Sequence, residues 1–294
     1  MATDFHKVDA TLLDVDLAQL RERAWVKLLQ LAPASLRSYT LLLRVAGKIA
    51  LPRGLREPVF GWIATRVGID LSEAELPLAD YSSFRELFVR RLQPGLRPVD
   101  GGDGAVVSPV DGCVTTFGRA ERDRLIQAKG IDYTLGELLD DSELARELEG
   151  GTFVTLYLRP HDYHRIHAPV AGEVASVRRI AGTLFPVKPY MVRSVRGLLC
   201  RNERVVTVLE TELGRVGLVC VAAAGVGTVT VSVDPWRGAR LSRGDELAAF
   251  NLGSTVIVIL GPGRVELEPL RAGQEIRVGQ ALARPVRRAT AGLA

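Results

Sequence analysis

The stretch Phe250-Asn-Leu-Gly253-Ser254-Thr255-Val256-Ile-Val-Ile-Leu260 joins a turn to a run of β-branched and apolar residues. Val and Ile favour extended backbone, so residues 254–260 are predicted to form a buried β-strand that begins at the turn. The Gly253–Ser254 bond is also one at which a chain can cleave itself, because the serine hydroxyl can attack the carbonyl that precedes it. The tripeptide is common, and its ordinary interpretation is a turn at the head of a strand.

Short apolar runs separated by Gly and Pro fill most of the chain after about residue 100. Runs of this length and spacing predict antiparallel β-structure. The predicted strands are Gly112–Phe117, Thr152–Leu158, Gly172–Ile180, Arg204–Glu210, Val216–Val221, Gly227–Val233, Ser254–Leu260 and Val265–Glu268. Leu135–Leu148, rich in Leu and Glu, is the main segment in this half that predicts a helix.

The region from Leu17 to Val67 has a helical pattern, with breaks predicted at Pro33, Pro52 and Pro58. It is basic, since residues 21–66 carry a local net charge of +7 against +4 for the whole chain. Aromatic and leucine side chains are interleaved with these charges. This composition suits the interface of an anionic membrane, and the alternative is a set of helices that cover the core and turn their charges to water.

Composition excludes several classes of protein. A chain of 294 residues with 47% hydrophobic and 24% charged residues is typical of a soluble globular protein with a large core. The N-terminus lacks the apolar core of a signal peptide, and no transmembrane helix is predicted. The three cysteines form no CxxC pair, which argues against structural zinc or a disulfide framework. The basic segment contains no nucleic-acid recognition module, so no nucleic-acid partner is expected.

Three of the four histidines fall within seven residues, at His161, His164 and His167. From the residues alone they could be zinc ligands, catalytic acid–base groups or packed loop imidazoles. Asp111, in the short element Ser108-Pro-Val-Asp-Gly112, offers a carboxylate in a tight turn. Ser254, a histidine and Asp111 are the parts of a nucleophile, base and orienting group, which geometry and not chain order defines.

Six segments together resemble the phosphatidylserine decarboxylase family, over residues 45 to 275. They are YSSFRELFVRRLQPGLRPVD (81–100), SPVDG (108–112), QAKGIDYTLGELL (127–139), YLRPHDYHRIHAP (157–169), LLCRNERV (198–205) and FNLGSTVIVIL (250–260). The chain departs from the family pattern at Val110, His161 and Cys200, none of which is assigned to chemistry.

The resemblance implies an α+β fold in which an N-terminal helical segment packs on a mainly antiparallel β-sandwich of the barrel-sandwich-hybrid kind. The implied division is a membrane-associating region, 1–100, and a catalytic β-rich domain, 101–294. An xPVxGxV frame shared by residues 108–114 and 168–174 agrees with such a sandwich.

The resemblance further implies decarboxylation of phosphatidylserine to phosphatidylethanolamine through a Schiff base to a pyruvoyl group. Cleavage at Gly253–Ser254 would make that cofactor from Ser254 and leave a β chain, 1–253, and an α chain, 254–294. Asp111 and His167 would complete the triad of Ser254, and His164 would move protons during turnover. Tyr157 is a further candidate for substrate contact, and the basic side chains that would bind the lipid phosphate are Lys188, Arg193 and Arg196. Neither pyridoxal phosphate nor a metal is expected.

The implied partners are phosphatidylserine, an anionic membrane and the two products of cleavage, with a homodimer left open. The implied location is peripheral, on the cytoplasmic face of the cell membrane. Two other classes remain: a zinc-dependent hydrolase or phosphotransfer domain that uses His161, His164 and His167, and a non-enzymatic carrier module. Zinc content and chain integrity distinguish the three.

Overall fold

The computed structural model describes residues 33–100, 102, 104–120, 124–128, 131–223, 229–232, 238–250 and 254–286. Two helices open this part of the chain, α1 (Pro33–Lys48) and α2 (Arg53–Val67), followed by a 3-10 turn (Leu78–Asp80) and the short helix α3 (Phe84–Phe88). Four more short helices lie among the strands: α4 (Leu135–Leu139), α5 (Ser142–Glu147), α6 (Pro189–Ser194) and α7 (Leu198–Arg201).

The strands of the described residues begin with β1 (Val106–Val107), β2 (Gly112–Arg119), β3 (Arg124–Ala128), β4 (Ile131–Thr134), β5 (Thr152–Leu158), β6 (Arg165–His167), β7 (Gly172–Ile180) and β8 (Arg204–Thr211). They continue with β9 (Gly214–Ala222), β10 (Val229–Val231), β11 (Arg240–Leu241), β12 (Glu246–Phe250), β13 (Ser254–Leu260), β14 (Val265–Leu267), β15 (Glu275–Ile276) and β16 (Ala281–Pro285).

Eight strands form one antiparallel sheet in the order β11-β7-β8-β9-β13-β5-β2-β15. One of its two central strands is β13, the apolar run that follows Gly253. Successive side chains of a strand point to opposite faces, and both faces of β13 are buried. Ile257 and Ile259 pack with the residues of α4 to α7, whereas Val256 and Val258 pack with the smaller sheets.

Two three-stranded sheets cover the second face of the large sheet, in the orders β1-β16-β14 and β10-β12-β6. Leu247 and Phe250 of β12, together with Ile166 of β6, are fully buried in this interface. The arrangement is a layer of short helices, the eight-stranded sheet, and a layer of small sheets. It confirms the predicted α+β class with N-terminal helices and a mainly antiparallel core.

Most predicted strands are present, and β5, β7 and β13 have the predicted bounds. The predicted helix Leu135–Leu148 is two helices instead of one. Asp140 ends α4 in the left-handed conformation, with φ 53°, and the Asp141 carboxylate caps α5 by accepting hydrogen bonds from Glu143 N and Leu144 N. A left-handed residue and a new N-cap together end one helix and begin the next.

The break predicted at Pro58 is wrong, because Pro58 lies inside α2. It is the sixth residue of the helix, so its missing N–H costs the helix one backbone hydrogen bond, and the helix continues through it to Val67. The break at Pro52 is confirmed, since α2 begins directly after it; α1 begins at Pro33, the first of the described residues, so the break predicted there stays a prediction. The part of the prediction that covers residues 17–32 lies outside the described residues, as does Gly253.

Candidate active site

One end of the large sheet brings the predicted nucleophile close to the predicted carboxylate. Ser254, the first residue of β13, pairs with Leu158 at the end of β5 and with Ala222 at the end of β9. Gly112 begins β2 beside the same end of β5, so closely that a Cβ on it would lie 2.5 Å from the Tyr157 carbonyl oxygen. Asp111 precedes Gly112. Because β5 lies between β13 and β2, the Cα atoms of Asp111 and Ser254 are two strand spacings apart, about 10 Å.

The Asp111 carboxylate is almost fully buried and is held from two sides. Arg97 donates from Nε to Oδ1 at 3.0 Å and from Nη2 to Oδ2 at 2.6 Å. The backbone N–H of Val278 donates to Oδ1 at 2.8 Å. Arg97 also binds Glu73, with Nη2 2.6 Å from Oε2. Burial alone would lower the pKa of Arg97, but its bonds to both carboxylates raise it, so this guanidinium is permanently charged.

The His167 imidazole has both ring nitrogens engaged. Nδ1 lies 2.7 Å from the Gly244 carbonyl oxygen, and Nε2 lies 3.1 Å from the Tyr163 hydroxyl. A carbonyl can only accept, so Nδ1 carries the proton and the lone pair is on Nε2. Gly244 has φ +89°, a left-handed conformation that favours glycine, and it aims its carbonyl at His167 from the turn before β12.

Burial lowers the pKa of His167 below its ordinary value of 6.5, although the Gly244 carbonyl and the charges of Glu246 and Asp111 oppose the shift. His167 is therefore neutral at neutral pH, with a lone pair on Nε2, the form that a general base requires. Within the described residues, Asp111 and His167 share no hydrogen bond, so the Gly244 carbonyl fixes the tautomer and Asp111 acts on the ring through its charge.

The His164 imidazole is fully buried beneath Phe88, with ring centroids 4.1 Å apart. Nδ1 donates to the Asp162 carbonyl oxygen at 2.8 Å, and Nε2 has no hydrogen-bond partner in the described chain. Burial lowers the pKa of His164 to about 3. The side chain is therefore a neutral imidazole at neutral pH, and its Nε2 lone pair lies in an apolar setting.

The third histidine, His161, stands apart from the other two. Its ring lies beside Gly68 at the end of α2, and Nε2 is 3.6 Å from an oxygen of Asp162. Nitrogen atoms that share a zinc ion must converge within about 2.1 Å of it. No group of three His, Cys, Asp or Glu side chains arranged for a metal occurs in the described part of the chain. This geometry does not favour the zinc alternative.

The segment before residue 100 supplies side chains that the motif analysis did not assign to the site. Arg97 binds Asp111, and Glu73 binds Arg97. Phe88 covers His164, and Arg90 donates to the His161 carbonyl oxygen at 3.2 Å. The signal was present in the family segment 81–100, which contains Phe88, Arg90 and Arg97. Tyr163 likewise lies within the histidine motif without having been singled out.

The four candidates for substrate binding do not lie together in one site. Tyr157 pairs with Thr255 in the sheet and is packed against the helical layer, and burial raises the pKa of its hydroxyl. Lys188 and Arg193 lie exposed at the two ends of α6. Arg196 follows α6 and lines a cleft of about 530 Å³ together with Tyr133, Thr134, Glu137, Gly197, Cys200 and Arg201.

Comparison with known proteins identifies the family. The family model of phosphatidylserine decarboxylase matches residues 84–284. A phosphatidylserine decarboxylase proenzyme of Anaeromyxobacter sp. (strain K) is 43% identical over 284 residues, which cover 90% of this chain and 99% of that protein. A second such proenzyme, from Halorhodospira halophila, is 45% identical over 247 residues, 78% of this chain and 84% of that protein.

A third proenzyme, from Myxococcus xanthus, is 37% identical over 276 residues, 89% of this chain and 98% of that protein. Fold and matches together define a lyase of the zymogen type. The chain belongs to the phosphatidylserine decarboxylase family, and it is accordingly a carboxy-lyase of phospholipid biosynthesis. Among the described residues, no helix is long and apolar enough to cross a bilayer.

Proposed function

We propose that this protein cleaves itself between Gly253 and Ser254 and then converts phosphatidylserine to phosphatidylethanolamine with a pyruvoyl group made from Ser254. The observation that carries the proposal is the register of the large sheet. That register sets the start of β13 at the same sheet end as Gly112, the neighbour of Asp111. The strand β12, which precedes β13 in the chain, pairs with β6, which ends at His167. The relatives are named phosphatidylserine decarboxylase proenzymes, which supports phosphatidylserine as the substrate.

In maturation, Ser254 is the nucleophile and His167 is its base. His167 Nε2 takes the hydroxyl proton as the serine oxygen attacks the Gly253 carbonyl, and the peptide becomes an ester. Tyr163 occupies that lone pair in the uncleaved chain, so its hydroxyl must release Nε2 first. The negative charge of Asp111 stabilises the imidazolium that forms. Elimination from the ester then frees the Gly253 carboxylate, and loss of ammonia on hydrolysis leaves the ketone.

In turnover, a pyruvoyl ketone at the start of β13 would supply the electron sink that decarboxylation needs. His164 moves the protons. Because burial lowers its pKa, His164 carries no proton on Nε2 at neutral pH. This nitrogen would take the proton that the substrate ammonium gives up and pass it to the substrate Cα, where it replaces the lost carboxylate. The Phe88 ring above His164 excludes water, which limits protonation from the solvent. Tyr157, near the end of β5, is a further candidate for contact with the substrate.

The lipid phosphate requires a cationic partner, and Arg196 is the best placed of the three candidates. Its cleft also contains Arg201. Two guanidinium groups suit a phosphodiester. Lys188 and Arg193, exposed on α6, contribute a weaker and screened attraction.

Contact with the membrane is assigned to α1 and α2, in the proposed N-terminal region 1–100. Leu42 of α1 is 66% exposed and Trp62 of α2 is 62% exposed, with Leu41, Val45, Ile49 and Leu55 also open to solvent. Lys48 and Arg66 lie in the last turns of the two helices. Exposed leucine and tryptophan side chains beside basic residues suit the surface of an anionic bilayer and a peripheral location on the cytoplasmic face.

The test of this function is a decarboxylase assay on vesicles that contain phosphatidylserine. The purified protein should release carbon dioxide and form phosphatidylethanolamine without added pyridoxal phosphate or metal, and the Ser254→Ala variant should form neither product. The matched control is Thr255→Ser, which alters the neighbouring buried residue of β13 and should keep activity. Full activity in Ser254→Ala would overturn the proposal.

A further inference from the structure

We infer that Arg97, anchored by Glu73, is the residue that positions the Asp111 carboxylate for self-cleavage. The inference rests on the proposed function, in which Asp111 stabilises the charged form of His167. It assigns a role in maturation to two residues from the segment before residue 100. Neither residue reaches the cleaved bond; they act through Asp111.

Two neighbouring nitrogens of the Arg97 guanidinium face the two oxygens of the Asp111 carboxylate. This pairing fixes the plane of the carboxylate as well as its distance from Arg97. Nε lies 3.0 Å from both carboxylate oxygens, and Nη2 lies 2.6 Å from Oδ2. A guanidinium bound in this way allows the carboxylate little rotation. The Val278 N–H donates to the remaining direction of Oδ1. Asp111 is therefore oriented by residues other than the histidine it serves.

Glu73 holds the other edge of the same guanidinium. Its Oε2 accepts from Nη2 at 2.6 Å and its Oε1 accepts from Nη1 at 3.2 Å. The Arg97 and Asp111 side chains are each 10% exposed, so the solvent screens this network poorly. Arg277 adds a second cation to Glu73, at 3.3 Å. With two carboxylates and two arginines the network is neutral, which makes its burial tolerable.

This network explains how Asp111 can act on His167 without a hydrogen bond. The Gly244 carbonyl already holds Nδ1, so Asp111 is needed only as a fixed negative charge near the ring. A fixed charge stabilises a developing imidazolium only if it does not turn away as the charge appears. Arg97 prevents that movement. Removing Arg97 leaves a mobile carboxylate, and the expected loss in cleavage rate is about 10- to 100-fold.

The experiment measures self-cleavage of the full chain over time by denaturing electrophoresis. The variants are Arg97→Ala, Arg97→Lys and Glu73→Gln. The matched control is Arg178→Ala, because Arg178 also binds one carboxylate, that of Asp141, and carbonyl oxygens far from this site. The expected order of cleavage rates places Arg97→Ala lowest, Arg97→Lys next and Glu73→Gln third. Wild type and Arg178→Ala should be equal.

Rescue separates positioning from general structural support. Guanidinium ion at non-denaturing concentration should accelerate cleavage of Arg97→Ala, whereas sodium ion at equal ionic strength should not. In the double variant Arg97→Ala with Asp111→Asn, guanidinium should have no effect, because the charge it would position is absent. Acceleration of the double variant would overturn the inference, as would an Arg97→Ala cleavage rate equal to that of Arg178→Ala.

Should Arg97→Ala not fold, Arg97→Lys and Glu73→Gln decide the matter, since both keep the charge or the shape of the side chain they replace. Wild-type rates in both variants would overturn the inference. Failure of the wild-type chain to cleave between Gly253 and Ser254 would instead refute the proposed function itself, so the two failures are distinguishable.

Discussion

We expect acid to lower the stability of this protein through His164, and we expect a single substitution of His164 to remove that loss. The folded chain holds the pKa of His164 at about 3 by burying it, whereas in the unfolded chain the side chain has its ordinary value of 6.5. The folded value is the lower one, so below pH 6.5 the unfolded chain binds a proton that the folded chain excludes. Stability is therefore lost as the pH falls from about 6.5 towards 3.

The expected size follows from the pKa difference. Each pH unit in this window costs about 1.4 kcal/mol for one proton, so a change from about pH 7.5 to about pH 5 should cost about 2 kcal/mol. The measurement is urea unfolding at both pH values, in a Ser254→Ala background that keeps one chain. His164→Asn is the comparison, since its amide N–H can still donate to the Asp162 carbonyl.

The pH-dependent loss should be about 2 kcal/mol larger with His164 than with Asn at this position. Other groups that titrate, including His167, are present in both proteins and cancel in the difference. Equal pH dependence in the two proteins, or an imidazole that titrates near pH 6.5 in the folded chain, would refute the reasoning from burial.

Three further predictions concern the site and the membrane surface. Tyr163→Phe should speed self-cleavage by about 3- to 10-fold, because the hydroxyl no longer occupies His167 Nε2; slower cleavage would mean that the hydroxyl relays the proton. The self-cleavage rate should fall as the pH is lowered, with a midpoint below pH 6.5, since burial lowers the pKa of His167, and a midpoint at or above pH 6.5 would contradict this. Replacing Leu42 and Trp62 by Ser should weaken binding to anionic vesicles by roughly 100-fold in a sedimentation assay, at about 1.5 kcal/mol for each side chain. The control Leu76→Ser, which removes an exposed leucine outside α1 and α2, should not weaken binding.

The strands were predictable because their signal is local. In β13 both faces are apolar and β-branched, so the strand is evident from seven residues without knowledge of its neighbours. The short helices α6 and α7 were not predicted, since six and four residues are too few to show a helical period. The division of Leu135–Leu148 depends on one left-handed residue, Asp140, which no periodicity reveals.

The candidate site likewise has one part that the sequence predicts and one part that it does not. Ser254, Asp111 and the histidines lie in motifs that are visible in the sequence. The hydrogen-bond partners of these residues cannot be predicted from the sequence, because the contacts join distant parts of the chain. Gly244 is 77 residues from His167, and Val278 is 167 residues from Asp111. Sequence reasoning therefore predicted which groups take part, while the folded chain supplies the Arg97 and Glu73 network that surrounds them.

The most direct test of the central claim is the intact mass of the purified protein under denaturing conditions. Self-cleavage before Ser254 predicts a 41-residue piece that ends at Ala294. Its mass should be roughly 4.4 kDa and about 17 Da below that of the peptide with an N-terminal serine, because the amine is lost when the ketone forms. A single chain of 31.9 kDa after prolonged incubation would contradict the claim. So would a small piece that still begins with an unmodified serine.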